Sequence, residues 1–368
     1  MTMRVALTTM LGALAVAAPA SAATLTADGS GLLYRAAPGE ANAVILTEDD
    51  PGEIRISDDV AIDAGGAPQC RRADWDDATV VRCPARGALR VETGDGDDRL
   101  TFLYDFPTAM TLVADGGAGD DRLDGPSSEA AVTLLGGPGD DQLRGGFGAD
   151  TLEGGPGADD LDGQAGDDVL RGGDGDDKLA GYDGDDLIDG GAGIDRITDD
   201  WLPTDRIPVG VTIDQGADDG RPGERDDVRS VEVIEIHRPA TLVAGRAPVR
   251  FIVTETQEGP SKLVGGPGND FLKSFHYADV IDGRGGDDTI EGGYGDDVIT
   301  GGPGRDTINA DAGAGACTFL VCRVGAGNDR INVRDGERDS VICGPGKDTV
   351  IADKKDVVAK DCERVKRI

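Results

Sequence analysis

Between Gly136 and Thr198 one aspartate returns every ninth residue, two places after a glycine and two places before Leu or Ile. Seven copies run without a gap: GGPGDDQLR, GGFGADTLE, GGPGADDLD, GQAGDDVLR, GGDGDDKLA, GYDGDDLID and GGAGIDRIT. Numbered within a copy, place four is always Gly, place six always Asp and place eight always aliphatic. The chemistry this offers is oxygen donation. A carboxylate sits at a fixed point of a glycine-rich turn whose carbonyls are not shielded by side chains. Hard cations such as calcium take roughly six to eight oxygens at about 2.3–2.6 Å. One short turn cannot supply them, but two stacked turns can.

The elements that must position these turns follow from the period. A nine-residue copy divides into a six-residue turn and a three-residue strand. Strand side chains alternate faces, so of the last three places only the eighth points inward. Leu143, Leu152, Leu161, Leu170, Leu179, Ile188 and Ile197 form the predicted interior ladder, and places seven and nine accept Gln, Lys, Arg or Glu. Pro at place three is tolerated because no ladder hydrogen bond needs its missing N–H. Two copies make one coil, so turns on one edge recur every second copy. Asp141 is expected to face Asp159 and Asp177 along one edge, and Asp150 to face Asp168 and Asp186 along the other. Strands stack at about 4.8 Å, a spacing an ion can bridge. One aliphatic per copy is too thin a core to offset the cost of ordering the backbone. Cation binding must supply the difference, and the chain without it is expected to be largely disordered.

Along the chain, residues 23–135 read as a β-rich segment with two isolated copies, TGDGDDRLT and GGAGDDRLD. Residues 136–198 are the first array, and 199–264 interrupt it, with VEVIEI as a strand and ADDGRPGERDDV as a polar loop. Residues 265–309 are a second array of five copies, whose ladder is continued by Ile281, Ile290, Ile299 and Ile308. Its second copy, SFHYADVID, has lost its glycines but keeps Asp279. Residues 310–368 hold looser copies and a terminal cap. The whole reads as a single elongated solenoid.

A formal charge of −35, 58 Gly residues and 4% aromatic residues would ordinarily indicate disorder. Random Gly/Asp composition would not hold Asp and an aliphatic in phase over seven consecutive copies. The acidity argues against nucleic acid and anionic membrane surfaces and suits multivalent cations. Residues 1–22 carry one charge, Arg4, then an apolar run and Ala20-Ser21-Ala22, the pattern of a cleaved export signal. The apolar run is short and broken by Pro19, against a membrane anchor. A secreted, extracellular chain without membrane insertion is the expectation. Six cysteines allow fifteen pairings, and proximity favours Cys70–Cys83, Cys317–Cys322 and Cys343–Cys362. Two histidines and no C-x-x-C make a zinc site a poor alternative. An EF-hand also fails, because no D-x-D-x-D-G loop ends in Glu at the twelfth place.

The copies resemble the RTX, or haemolysin-type, calcium-binding repeat, which implies an all-β parallel β-roll, a β-helix solenoid. The resemblance is firm over 136–198 and 265–309 and loose over 93–124 and 324–351. It implies that sixth-place Asp side chains and turn carbonyls are the calcium ligands. Carried over, these are Asp141, Asp150, Asp159, Asp168, Asp177, Asp186 and Asp195 in the first array. In the second they are Asp270, Asp279, Asp288, Asp297 and Asp306. Gaps between stacked turns of the two arrays give about eight calcium sites, counted by the oxygen requirement of the ion, and the looser copies are expected to add a few more. In that count Asp168 is interior and Asp306 closes the second array. Many proteins of the family carry a C-terminal export signal and a protease, lipase or pore-forming domain. Here the signal is N-terminal, and neither H-E-x-x-H nor G-x-S-x-G occurs. The layout is similar to repeat-only secreted actinobacterial proteins of the family. The leading expectation is a secreted calcium-binding protein with a structural or interaction role and no enzymatic activity. A cell-surface adhesin-like spacer is the first alternative. An enzyme using acidic pairs such as Asp199-Asp200 or Asp226-Asp227 is the second. No protein or polysaccharide partner can be named from the sequence.

Overall fold

A computed structural model describes residues 22–27, 31–39, 41–50, 52–73, 77–103, 110–198, 209–213, 227–237, 240–254, 259–311 and 327–368. Among them every regular element is a β-strand, and no helix is long and apolar enough to cross a membrane. Apart from Ala22, the expected export signal lies outside the described residues, as do Cys317, Cys322, Asp199, Asp200 and Asp226.

The period becomes a coil in the way the spacing requires. Thr151–Pro156 pairs in parallel with Val169–Asp174, and that strand with Leu187–Ala192, Leu152 lying beside Leu170 and Leu170 beside Ile188. On the opposite face Gln142–Gly146, Asp160–Ala165, Lys178–Asp183 and Arg196–Thr198 pair in the same parallel register. The eighth-place residues Leu143, Leu152, Leu161, Leu170 and Leu179 are 0% exposed, so the aliphatic ladder is the core. First-array strands run beyond three residues into the next turn, where Gly155 pairs with Gly173 and Pro156 with Asp174. Glycine permits this approach, because a Cβ on Gly173 would stand 2.0 Å from the Gly155 carbonyl oxygen. In the second array Val280–Asp282, Thr289–Glu291 and Val298–Thr300 are three-residue strands, as the period alone suggests.

Between the arrays the coil continues without the repeat. Val233–Ile236 pairs in parallel with Arg196–Thr198 on one side and Arg250–Val253 on the other, and the latter pairs with Phe271–Lys273. On the other face Asp227–Arg229 stacks on Leu187–Ala192 and Val209–Thr212 on Ala240–Val243, with a parallel bridge between Ile213 and Val228. These coils bury more apolar side chain per turn than the arrays do: Val231, Ile234, Ile236, Val249, Phe251 and Val253 all lie in the core.

The two ends are closed differently. At the N-terminal end Ala43–Asp50, Glu53–Ser57 and Val80–Pro84 form antiparallel pairs over a core of Leu25, Leu32, Tyr34, Leu46, Ile54 and Ile56. The Cys70–Cys83 disulfide fastens this cap, and the Tyr34 hydroxyl donates to the buried Asp58 carboxylate. At the C-terminal end Arg364–Arg367 pairs with Thr349–Ala352 and is exposed at every residue. Charged side chains on an edge strand discourage further strand addition. The Cys343–Cys362 disulfide, with Cα atoms 5.2 Å apart, ties this last coil down. Both bridges match the pairings favoured by proximity.

Candidate metal centre

Within each array the turns place their aspartates in two columns, one along each edge. Asp141 N–H donates to Asp159 Oδ1 at 2.8 Å, Asp159 N–H to Asp177 Oδ1 at 2.9 Å and Asp177 N–H to Asp195 Oδ1 at 3.0 Å. On the other edge Asp150 N–H donates to Asp168 Oδ1 at 2.7 Å and Asp168 N–H to Asp186 Oδ1 at 2.9 Å. Each step spans eighteen residues, one coil. One carboxylate oxygen therefore fixes the stacking of the turns, and the other is left for a ligand.

That second oxygen is buried and without a hydrogen-bond donor in Asp141, Asp150, Asp159, Asp168, Asp177, Asp195, Asp288, Asp297 and Asp306. In each turn it faces place one, the first glycine. A Cβ on Gly154 would lie 2.2 Å from Asp159 Oδ2 and 2.7 Å from the Gly172 carbonyl oxygen. The same pair of oxygens surrounds Gly136, Gly145, Gly172 and Gly283. The first glycine thus keeps open a cradle in which an orphaned carboxylate oxygen meets a carbonyl of the next coil. Among the described residues no three His, Cys, Asp or Glu side chains converge as a preformed metal cluster. Carbonyls must make up the donor set, which is the chemistry of calcium and not of zinc.

Electrostatics make the same point. Burial pushes the Asp168 carboxyl up to about 8, against the hydrogen bond from Asp150 N–H, and the charges of Asp186 and Asp150 add to the rise. Burial likewise pushes Asp159 and Asp288 up to about 7 and Asp297 to about 8. An unpaired carboxylate withdrawn from water resists ionisation until an opposite charge is supplied. These residues fit a divalent cation.

All twelve sixth-place aspartates named from the sequence are buried at the turn edges, though they are not equivalent. Asp270 Oδ2 accepts from Gly266 N–H at 2.6 Å, and Asp279 Oδ2 accepts from the Ser274 hydroxyl at 2.5 Å. Asp279 nonetheless stays in its column, accepting from Ser261 N–H and donating to Asp297. Asp306 does not close its column: its N–H donates to Asp339 Oδ1, 33 positions further along the sequence. Expecting it to be terminal overlooked that a looser copy beyond the array stacks in register on it, Ser340–Ile342 pairing with Thr307–Asn309.

Two features go beyond the twelve aspartates named from the sequence. The columns extend to Asp98 and Asp121 at one end and to Asp329, Asp339, Asp348 and Asp356 at the other. The looser copies keep Asp two places before an aliphatic residue, and that signal alone would have found them. The second feature is an outer row at place five. Asp140 N–H donates to Asp120 Oδ1, Ala158 N–H to Asp140 Oδ1 and Ile194 N–H to Asp176 Oδ1, all exposed. These bonds run in the opposite chain direction to the inner ones, so each turn is pinned to both of its neighbours. The recurrent Asp-Asp pair was the visible trace of this row.

A family model described as the RTX calcium-binding nonapeptide repeat (4 copies) matches residues 135–170, 162–197 and 277–315. No curated protein matches the chain. The matched residues contain most of the two arrays and of the aspartate columns just described.

Proposed function

We propose that this chain, which carries RTX calcium-binding repeats on an all-β parallel solenoid, is a secreted protein that folds on binding calcium and acts as an extracellular structural or interaction element. The observation that carries the reading is the column of buried sixth-place aspartates, most of which hold one oxygen for stacking and present the other, unpartnered, beside a carbonyl. Calcium supplies the positive charge that lets these carboxylates ionise inside the turns. The chain's own contribution is to space them, through the first glycine and the inward aliphatic. Asp141, Asp159, Asp177 and Asp195 hold one edge of the first array, with Asp150, Asp168 and Asp186 on the other. Asp270, Asp279, Asp288, Asp297 and Asp306 do so in the second array. About eight ions is then a lower bound, because the columns run past both arrays. We assign no enzymatic role and no protein or polysaccharide partner. Two disulfides suit an oxidising compartment outside the cell.

Equilibrium dialysis of the full chain against calcium tests this reading. Eight or more bound ions are expected. A stoichiometry of one or two would mean that the stacked turns are not the sites. Recovery of the protein from cells and not from medium would remove the extracellular part of the reading.

A further inference from the structure

The aspartate columns by themselves name no organic ligand, but the outer face of one sheet carries a feature that does. Along Lys178–Asp183 strand alternation turns Lys178, Ala180 and Tyr182 outward together. Ala180 stands at place nine, which holds Arg, Glu, Asp or Thr in the other six copies of the first array. Its register neighbour on the preceding coil is Asp162, and the neighbour of Asp162 is Arg144. Where the ladder of long polar side chains lapses, the sheet face has a cavity of about 140 Å³, lined from four successive strands of that sheet.

The lining is polar and its charges cancel: Arg122, Arg144 and Lys178 are matched by Asp124, Asp160 and Asp162. Some of these groups satisfy one another. Arg122 holds both oxygens of Asp124, and its Nη1 donates to Gln142 Oε1 at 2.9 Å. Two do not. Asp162 Oδ2 lies 3.4 Å from Arg144 Nε, but Asp162 Oδ1 is buried without a hydrogen-bond partner. The Lys178 ammonium makes no ion pair among the described residues. A buried acceptor without a donor is costly, and a bound hydroxyl removes that cost. Tyr182 completes the lining from a strained backbone. Its φ is 74° and that of its register partner Gln164 is 76°, at a place where glycine would be unstrained. Strain of this kind clusters at ligand sites.

Charges that cancel do not select an ion. They suit a neutral ligand whose groups both donate and accept hydrogen bonds and which has an apolar face for an aromatic ring. The cavity is also smaller than the roughly 300–1,000 Å³ that encloses a drug-sized ligand, so it takes one ring and leaves any chain attached to that ring outside. We propose that this cavity binds one neutral sugar ring. One hydroxyl donates to Asp162 Oδ1, a neighbouring hydroxyl accepts from Lys178, and the C–H face of the ring lies against Tyr182. No lining residue belongs to the aspartate columns, so this site and the calcium sites can be lost separately.

The test is saturation-transfer NMR of the full chain in calcium, with glucose, galactose, mannose and N-acetylglucosamine as probes. Transfer to at least one of them is expected. Competition by an oligosaccharide of the best binder then separates the two sources of such a ring: tighter binding assigns a unit on a chain, equal or weaker binding a free sugar. Ala180→Arg gives this copy the place-nine residue that Arg144 supplies in another and should abolish the transfer. Asp162→Ala should weaken binding at least about tenfold. Circular dichroism in calcium shows that each variant is folded, and either decides should the other not fold. Transfer to none of the four sugars overturns the proposal, as does transfer that survives both substitutions. Transfer to glycine and not to the sugars would assign a zwitterion and overturn it as well.

Discussion

Asp168 shows what a single rung does. Its Oδ1 holds the Asp150 turn, its N–H reaches Asp186, and its Oδ2 faces Gly163. Asp168→Ala should raise the calcium midpoint of folding severalfold, as judged by calorimetry. Because Asp306 is also interior, Asp306→Ala should cost as much. The smaller loss belongs to Asp356→Ala, the last rung, whose bond from Asp339 N–H is a long 3.3 Å. Gly163→Ala should act like Asp168→Ala, since the added Cβ would stand 2.4 Å from Asp168 Oδ2. A pH dependence follows from the same groups. Burial raises Asp168 to about 8 from the ordinary 3.8, so the folded, metal-free column holds protons that the unfolded chain has released. The metal-free fold is therefore best supported below about pH 4 and loses that support as pH rises towards about 8. Calcium needs the ionised form, so its midpoint concentration should rise on acidification. Circular dichroism in chelator at about pH 5 and about pH 8, with a calcium titration at each, checks both directions. At this scale the sixth-place aspartates were plain in the sequence because one rigid spacing repeats. The partners of Asp270 and Asp279 were not, because Gly266 N–H and the Ser274 hydroxyl reach them through local turn geometry that the spacing does not encode.

The coils divide into two kinds. Array coils have one inward aliphatic per copy and a carboxylate at each turn. The coils at 231–253 reverse the balance. Val249 stands where a rung is due and has no carboxylate, yet its N–H still donates to Asp270 Oδ1. Phe251 fills the interior there and is 0% exposed. Phe251→Ala should cost about 3–5 kcal/mol, the usual range for a large core truncation. Added calcium should not restore it, because that coil has no rung of its own to tighten. Thermal melts of the variant in low and high calcium would show whether the loss is constant. Place two gives a smaller effect. Gln164, Tyr182 and Arg284 have φ of 76°, 74° and 65° where the other copies mostly place glycine. Gln164→Gly should stabilise the calcium-bound fold by about 1 kcal/mol through relief of left-handed strain. The parallel solenoid was legible because a period of nine, with one inward residue, leaves little else to build. The coils of 227–253 were not, because they use ordinary apolar alternation, as in VEVIEI, which names a strand without naming its neighbour.

At the scale of the molecule, two closed ends bracket a column of carboxylates. The N-terminal cap has a dense apolar core and a disulfide, and the C-terminal coil is tied by Cys343–Cys362. The arrays between them depend on charge neutralisation. Removal of calcium should therefore unfold the arrays first and leave the N-terminal cap, a narrower outcome than the general disorder that composition alone suggests. Proteolysis in chelator should accordingly spare a fragment ending near residue 103. The central claim is that calcium ionises and fills the aspartate columns and so folds the arrays. Far-UV circular dichroism of the full chain at neutral pH, first in excess chelator and then at millimolar calcium, tests it most directly. The expected result is a largely disordered spectrum that becomes β-rich as calcium is added and reverts when it is removed. A β-rich spectrum that excess chelator leaves unchanged would contradict it.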